Sequence, residues 1–259
     1  MDSFKLLENF CEELYEETKN VYASFSSAVI VRDVFFVLLA KARTLLKSIV
    51  ILNSLGQYPS VSVLLRSLLE LYIQMKWISV KDTVGLSARY AELANVVRMR
   101  AFLRTKSNWR EFASSCEDEK FRERFEENTK KAQIYGYKDV MDVENWRPVK
   151  SGKKRYSIFD MAKDISMEYE YSVVYNRLCE TTHIGPGSDL DYEVIPQGCG
   201  LVPMKPWSPT ELASATSYFL NIYALANKAM GQSFREVTYQ RLKYEKILQT
   251  VFKTGNLEK

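Results

Sequence analysis

Histidine is almost missing from this sequence: the 259 residues contain one, His183. Chemistry near neutral pH that needs an imidazole from this chain must use that residue. Glycine and proline are scarce, at ten and seven, which disfavours a turn-rich all-β fold. The four cysteines (Cys11, Cys116, Cys179, Cys199) are far apart with no Cys-x-x-Cys pair. That excludes a zinc ribbon or a disulfide framework and fits free thiols in a reducing compartment. The opening residues lack the basic and apolar regions of a signal peptide. One uncharged run, residues 48–65, has the length of a membrane span, but Asn53-Ser54-Leu55-Gly56-Gln57-Tyr58-Pro59-Ser60 within it reads as a helix end and a turn. A cytoplasmic protein with no membrane partner is expected. There is no Gly-rich phosphate loop, Gly-x-Ser-x-Gly elbow or His-Glu-x-x-His motif, and no cofactor is expected. The net charge of +4 permits contact with nucleic acid without the strong basic bias of a dedicated binder.

What is present is helical. Apolar residues make up 46% and charged residues 26%, ordinary proportions for a chain that buries a core. Residues 3–22 place Leu6, Leu7, Phe10, Cys11 and Leu14 on one helix face, with acids between them. A second helix is expected over 28–55, ended by Gly56. A third spans 60–78 with Ser60 as its cap, and a fourth 82–104. Charged helices follow over 109–132, then a polar linker over 135–156. Further helices are read over 157–167 and 169–183, the last ended by Gly185-Pro186-Gly187. Residues 188–207 read as an irregular or hairpin insertion. Ser208-Pro209-Thr210-Glu211 has capping-box spacing with Pro at the first helical position, opening helices over 209–230 and 233–252. The expectation is an all-α multi-helix bundle, with a bundle domain over 1–231 and a C-terminal helix over 232–259 packed on it or extending from it.

Four groups of residues carry chemistry. On the third helix, Leu65, Leu68, Tyr72 and Met75 fall on one side, and Val63, Arg66, Glu70, Ile73 and Trp77 on the other. A helix apolar all round is a buried one, so Arg66 and Glu70 are expected as a charge pair inside the core, where desolvation demands pairing. They serve either as a structural ion pair or as the lining of an internal polar site.

The second group is Tyr175-Asn176-Arg177-Leu178-Cys179-Glu180-Thr181-Thr182-His183. Six residues of unbroken helix turn about 600°, which leaves Arg177 and His183 some ~120° apart. They converge only if the helix ends before His183, and the following Gly-Pro-Gly favours that end. Otherwise His183 is a C-capping residue. The third group is the basic stretch Arg147, Lys150, Lys153, Lys154 and Arg155, with no acid among them. Such runs are usually solvated, but Tyr137, Trp146 and Tyr156 nearby are candidates for stacking on bases. The fourth is Asp189, Asp191 and Glu193, which match no metal-ligand spacing. A metal-dependent hydrolase using Glu70, His183 and Asp191 is the weakest reading, and no metal is expected.

Over roughly residues 30–230 the chain resembles a bacterial family of all-helical domains of unassigned function. The likeness rests on Leu65-Arg66-Ser67-Leu68-Leu69-Glu70-Leu71, on a Trp followed by Ser157-Ile158 and Met161-Ala162, and on Tyr175-x-x-Leu178-x4-His183. Arg177-x5-His183 separately resembles the Arg-x(4–6)-His signature of HEPN ribonucleases, although Leu178 stands where those proteins commonly carry a polar residue. This second resemblance implies a metal-independent cut of RNA in a toxin or phage-defence effector. His183 would move the proton of the ribose 2′-OH or of the leaving oxygen, and Arg177 would stabilise charge on the phosphate. Glu180, Thr182, Tyr175, Arg66 and Glu70 would support them, and Lys150, Lys153, Lys154 and Arg155 would hold RNA. It further implies a homodimer and a protein partner from the same operon. The competing expectation is a non-catalytic helical module that binds a partner protein or small ligand near Arg66 and Glu70.

Overall fold

The computed structural model describes residues 3–20, 30–148, 155–182, 192–194, 201–203, 209–232 and 235–254. The chain divides into two compact units: Met1–Val80 with Ile158–Lys259, and Lys81–Ser157.

The first unit is built from α1 (Ser3–Asn20), α2 (Ile30–Ser54), α3 (Tyr58–Lys81), α7 (Ile158–Asp164), α8 (Glu168–Thr182), α9 (Pro209–Ala229) and α10 (Arg235–Thr254). The helices α2 and α10 both pack on α1 and α9, and α7 packs on α8. Large side chains drive this assembly: Leu7, Phe10 and Leu14 of α1, Phe35, Leu39 and Leu46 of α2, Leu68 and Ile73 of α3, and Phe219 of α9 are all buried. Burying one such side chain contributes roughly 1.5–3 kcal/mol. Cys11 lies in this core with its Sγ 3.0 Å from the Thr216 hydroxyl, and burial pushes its thiol pKa up to about 12, so the thiol is a packing group. Cys11 and Cys116 are free thiols.

The break inside residues 48–65 is a turn. Gly56, with φ +69°, donates its amide to the Asn53 carbonyl at 3.0 Å, and Gln57 donates to Leu52 at 2.8 Å. This Schellman closure satisfies the last carbonyls of α2 in a left-handed step that glycine makes without a Cβ penalty. Among the described residues no helix is long and apolar enough to cross a membrane. Strands β1 (Tyr192–Val194) and β2 (Leu201–Pro203) pair antiparallel, Glu193 opposite Val202. They fall within the span read as an irregular or hairpin insertion, and the fold is all-α as expected.

The second unit contains α4 (Thr83–Leu103), α5 (Trp109–Ser115), α6 (Glu119–Ile134) and a 3-10 turn at Val140–Asp142. Asp82, Asn108 and Asp118 cap its three helices, accepting from the amides of Gly85, Glu111 and Phe121. The described part of residues 135–156, read from sequence as a polar linker, instead contributes to this core. Tyr137, Val140 and Val143 are buried with Leu93, Val96, Leu103 and Ala132. The Arg89 guanidinium, stacked 4.6 Å from the Tyr135 ring centre, donates to the Trp146 carbonyl at 2.7 Å and to the Tyr137 hydroxyl at 3.1 Å. The polar segment folds because backbone carbonyls supply partners for a half-buried arginine.

Candidate functional site

The strip of α3 that carries Arg66 and Glu70 faces α8. One turn of helix separates the two side chains, and Arg66 Nε donates to Glu70 Oε1 at 3.2 Å. Arg66 Nη2 donates to the Tyr175 hydroxyl, and the guanidinium lies 4.2 Å from the centre of the Tyr175 ring. Arg66 thus makes an ion pair on its own helix and a cation–π contact plus a hydrogen bond on the next.

The tyrosine is itself held. Tyr171, one turn earlier on α8, stacks on Tyr175 with ring centres 4.3 Å apart and planes 21° apart. Phe159 of α7 lies 5.9 Å from Tyr171. Burial pushes the Tyr171 hydroxyl pKa up, its hydrogen bond to Tyr175 and the Glu70 carboxylate push the same way, and Arg66 opposes them. Tyr171 therefore keeps its proton at neutral pH. Further along the strip, Trp77 donates its indole N–H to Asp164 Oδ2 at 3.1 Å, fixing α7 against α3.

A second seam runs on the other side of α3. The Tyr72 and Tyr218 rings stack at 6.0 Å, and both hydroxyl pKa values are raised, first by burial and then by the Glu170 carboxylate of α8. The first seam joins α3 to α8, and the second joins α3 to α9 with Glu170 of α8 beside its tyrosines.

The expectation that Arg66 and Glu70 form a pair holds, but their placement inside the core does not. Their side chains are 24% and 28% exposed. Along the same strip Val63 is 40% exposed, and near the end of the helix Val80 is 60% exposed. The apolar count of α3 overstated its burial because α8 covers this strip with tyrosines only in part. The pair keeps contact with water, so its desolvation cost is smaller than that of a sealed ion pair.

Of the residues singled out from sequence, Arg66, Glu70 and Tyr175 come together. Arg177, Glu180 and Thr182 lie on the last turns of α8, with side chains outside the described residues. His183, Asp189, Asp191, Lys150, Lys153 and Lys154 lie outside them altogether, and Glu193 is described only as part of β1. Arg155 is described in the second unit, 3.4 Å from Glu144 and 4.9 Å from the Tyr137 ring centre. Tyr137 is 7% exposed, so this ring is no platform for a base. Tyr171 and the Trp77–Asp164 contact were missed. The only sequence signal for Tyr171 is its i, i+4 spacing from Tyr175. Among the described residues no group of three or more His, Cys, Asp or Glu side chains forms a metal site.

The first unit is thus an all-α scaffold with an arginine–tyrosine seam joining α3 to α8. The chain belongs to DUF5677, a family of unknown function, whose model matches residues 32–193. That span contains Arg66, Glu70, Tyr175, Arg177 and His183. No curated protein and no solved structure matches the chain.

Proposed function

We propose that this protein is a HEPN-like, metal-independent ribonuclease that acts as a toxin or phage-defence effector, with Arg177 and His183 as its reacting pair. The observation that supports this reading is the grip of Arg66 on Tyr175. It fixes α8 two residues before Arg177, on a helix whose described end, Thr182, immediately precedes His183. A rigid carrier matters because a catalytic group displaced by an ångström loses much of its effect.

In this mechanism His183 takes the proton of a ribose 2′-OH, whose oxygen attacks the adjacent phosphorus. The bond to the 5′-oxygen breaks, that oxygen receives a proton, and a 2′,3′-cyclic phosphate is left. Arg177 stabilises the negative charge that grows on the phosphate oxygens, while Glu180 and Thr182 orient the pair. Lys150, Lys153, Lys154 and Arg155 hold the RNA backbone through salt-sensitive contacts. A homodimer sets two α8 ends against one cleft, and a partner from the same operon restrains the activity.

The second reading is a non-catalytic module that binds a protein or small ligand. It is favoured by the partial exposure of Arg66 and Glu70, whose side chains are 24% and 28% exposed and so within reach of a partner.

Expression of the wild type, Arg177→Ala and His183→Ala separates the two, with growth and RNA integrity as readouts and EDTA as a control. Loss of both growth arrest and RNA cleavage in each variant, with indifference to EDTA, supports the nuclease. Full cleavage by either variant overturns it, and intact RNA with folded wild-type protein leaves the binding module.

A further inference from the structure

From the middle of α4 into the first turn of α5, residues 93–110 carry Arg98, Arg100, Arg104, Lys106 and Arg110 and no Asp or Glu. The second unit holds eighteen Lys and Arg against twelve Asp and Glu, a net +6 where the whole chain has +4. One cation of the run is tied down: Arg100 donates to the Val143 carbonyl at 3.4 Å and lies 4.0 Å from Glu144. The acid that follows the run, Glu111, accepts from the Asn108 amide at 2.8 Å. Arg98, Arg104 and Arg110 are exposed, and among the described residues no ion pair holds them or Lys106.

Aromatic rings lie among these charges. Phe112 of α5 and Phe121 of α6 pack against the buried core of the unit, with ring centres 5.3 Å apart. Phe102 of α4 rests on both at 5.9 Å and is 44% exposed. The amides of Thr105 and Lys106 donate to the Phe102 and Leu103 carbonyls, which carries Lys106 one turn beyond Phe102. Its Nζ lies 4.9 Å from the Phe102 ring centre and 4.8 Å from that of Phe112. Arg98 stands one turn before Phe102 on the same strip of helix. The helix dipole accounts for Arg100 and Arg104 at the end of α4. It accounts neither for Arg98 and Arg110 nor for a phenylalanine left open to water between cations.

We propose that this surface binds a single-stranded polynucleotide, with a base stacked on Phe102 and phosphates held by Arg98, Arg104, Lys106 and Arg110; that the strand is RNA rests on the ribonuclease reading above. Two properties of such a strand match the surface. Every base offers a π-face to an open ring whatever its sequence. The backbone brings a regular row of negative charge to exposed cations. Lys106, which lies over both rings, turns to a phosphate as a base takes its place. An acidic protein segment would meet the cations and leave Phe102 in water. A duplex would meet them too, but its bases stay stacked on one another.

The test is fluorescence anisotropy of the full chain with a labelled 2′-O-methyl oligouridine of about 12 nucleotides, within the span of single-strand sites. That strand lacks the free 2′-OH which the proposed cleavage needs, so binding is read apart from cleavage. Saturable binding without cleavage of natural RNA leaves this surface standing and sinks only the nuclease. Saturation is expected, with a slope of log affinity against log salt of about −3 for four phosphate contacts. Phe102→Ala should weaken binding about tenfold, the loss of one stacked base. Arg98→Gln with Arg104→Gln should reduce the slope by about 1.4. Thermal melting checks that the variants fold; if Phe102→Ala does not, the double variant of exposed residues decides. No saturable binding overturns the proposal, as does unchanged affinity in folded Phe102→Ala or an unchanged slope in the double variant. Equal affinity for polyglutamate or for duplex RNA of the same length overturns it as well.

Discussion

On α3 the carboxylate of Glu70 meets a guanidinium, and on α1 the carboxylate of Glu17 meets another carboxylate. Both belong to the first unit, both are part-exposed, and both lie where one helix packs on another. The Glu70 cluster is closed within itself: Arg66 brings positive charge and donors, and Tyr175 completes the set. The Glu17 cluster is open, since Gln240 supplies N–H but no charge and has an oxygen without a partner among the described residues. Partial burial therefore does not decide whether a charge stabilises a fold. The partner delivered by the neighbouring helix decides it.

The largest effect that breaks this comparison is expected from Arg66→Ala. It strips Glu70 and Tyr175 of their shared partner and loosens α3 from α8. A loss of about 1–3 kcal/mol should appear in urea unfolding, below the cost of breaking a sealed pair because water reaches the site. No change in the midpoint would mean that the seam contributes nothing.

The next effect follows from pH. The folded-state pKa of Glu17, about 8, lies above its ordinary 4.5. At low pH the group is protonated folded or unfolded. As pH rises through the ordinary value, the unfolded chain releases the proton while the folded chain holds it. This group's contribution to stability is thus lost as pH climbs from 4.5 towards about 8. Glu17→Gln should flatten that part of the stability profile, with a melting temperature above wild type on the alkaline side. A profile parallel to wild type would refute the raised pKa of Glu17.

Smaller still is Tyr175→Phe, which keeps the ring over Arg66 and removes one hydrogen bond. A cost of about 0.5–1.5 kcal/mol is expected in the same unfolding experiment. Smallest is Lys243→Gln at the Glu13 pair, at about 0–0.5 kcal/mol; a larger loss would show that this cation ties α10 to α1 more firmly than its exposure implies.

Much of the architecture was legible in the residues. The break at Gly56 and the start of the fourth helix were read within a residue or two of where they lie, because helix ends are set by local hydrogen bonds. The pairing of Arg66 with Glu70 was legible for the same reason, being an i, i+4 contact on one helix. What failed was long-range. Residues 135–156 looked like a linker because their apolar residues are sparse, yet Tyr137, Val140 and Val143 close the second core. The Glu17–Glu236 contact joins residues more than two hundred positions apart, and no local pattern announces it. Glu12-Glu13 and Glu16-Glu17 did mark α1 as acid-rich, but an acidic face usually points to water.

The sequence by itself determined an all-α chain, its main helix boundaries and the ion pair on α3, since each depends on backbone periodicity, capping or one turn of helix. Only the tertiary structure decided that the pair stays half-open to water and grips Tyr175, that a polar segment closes the second core, and that α10 lays a carboxylate and an amide beside Glu17. Those outcomes depend on which helix faces are brought together, and it is the neighbouring face that sets the solvation and charge each side chain meets.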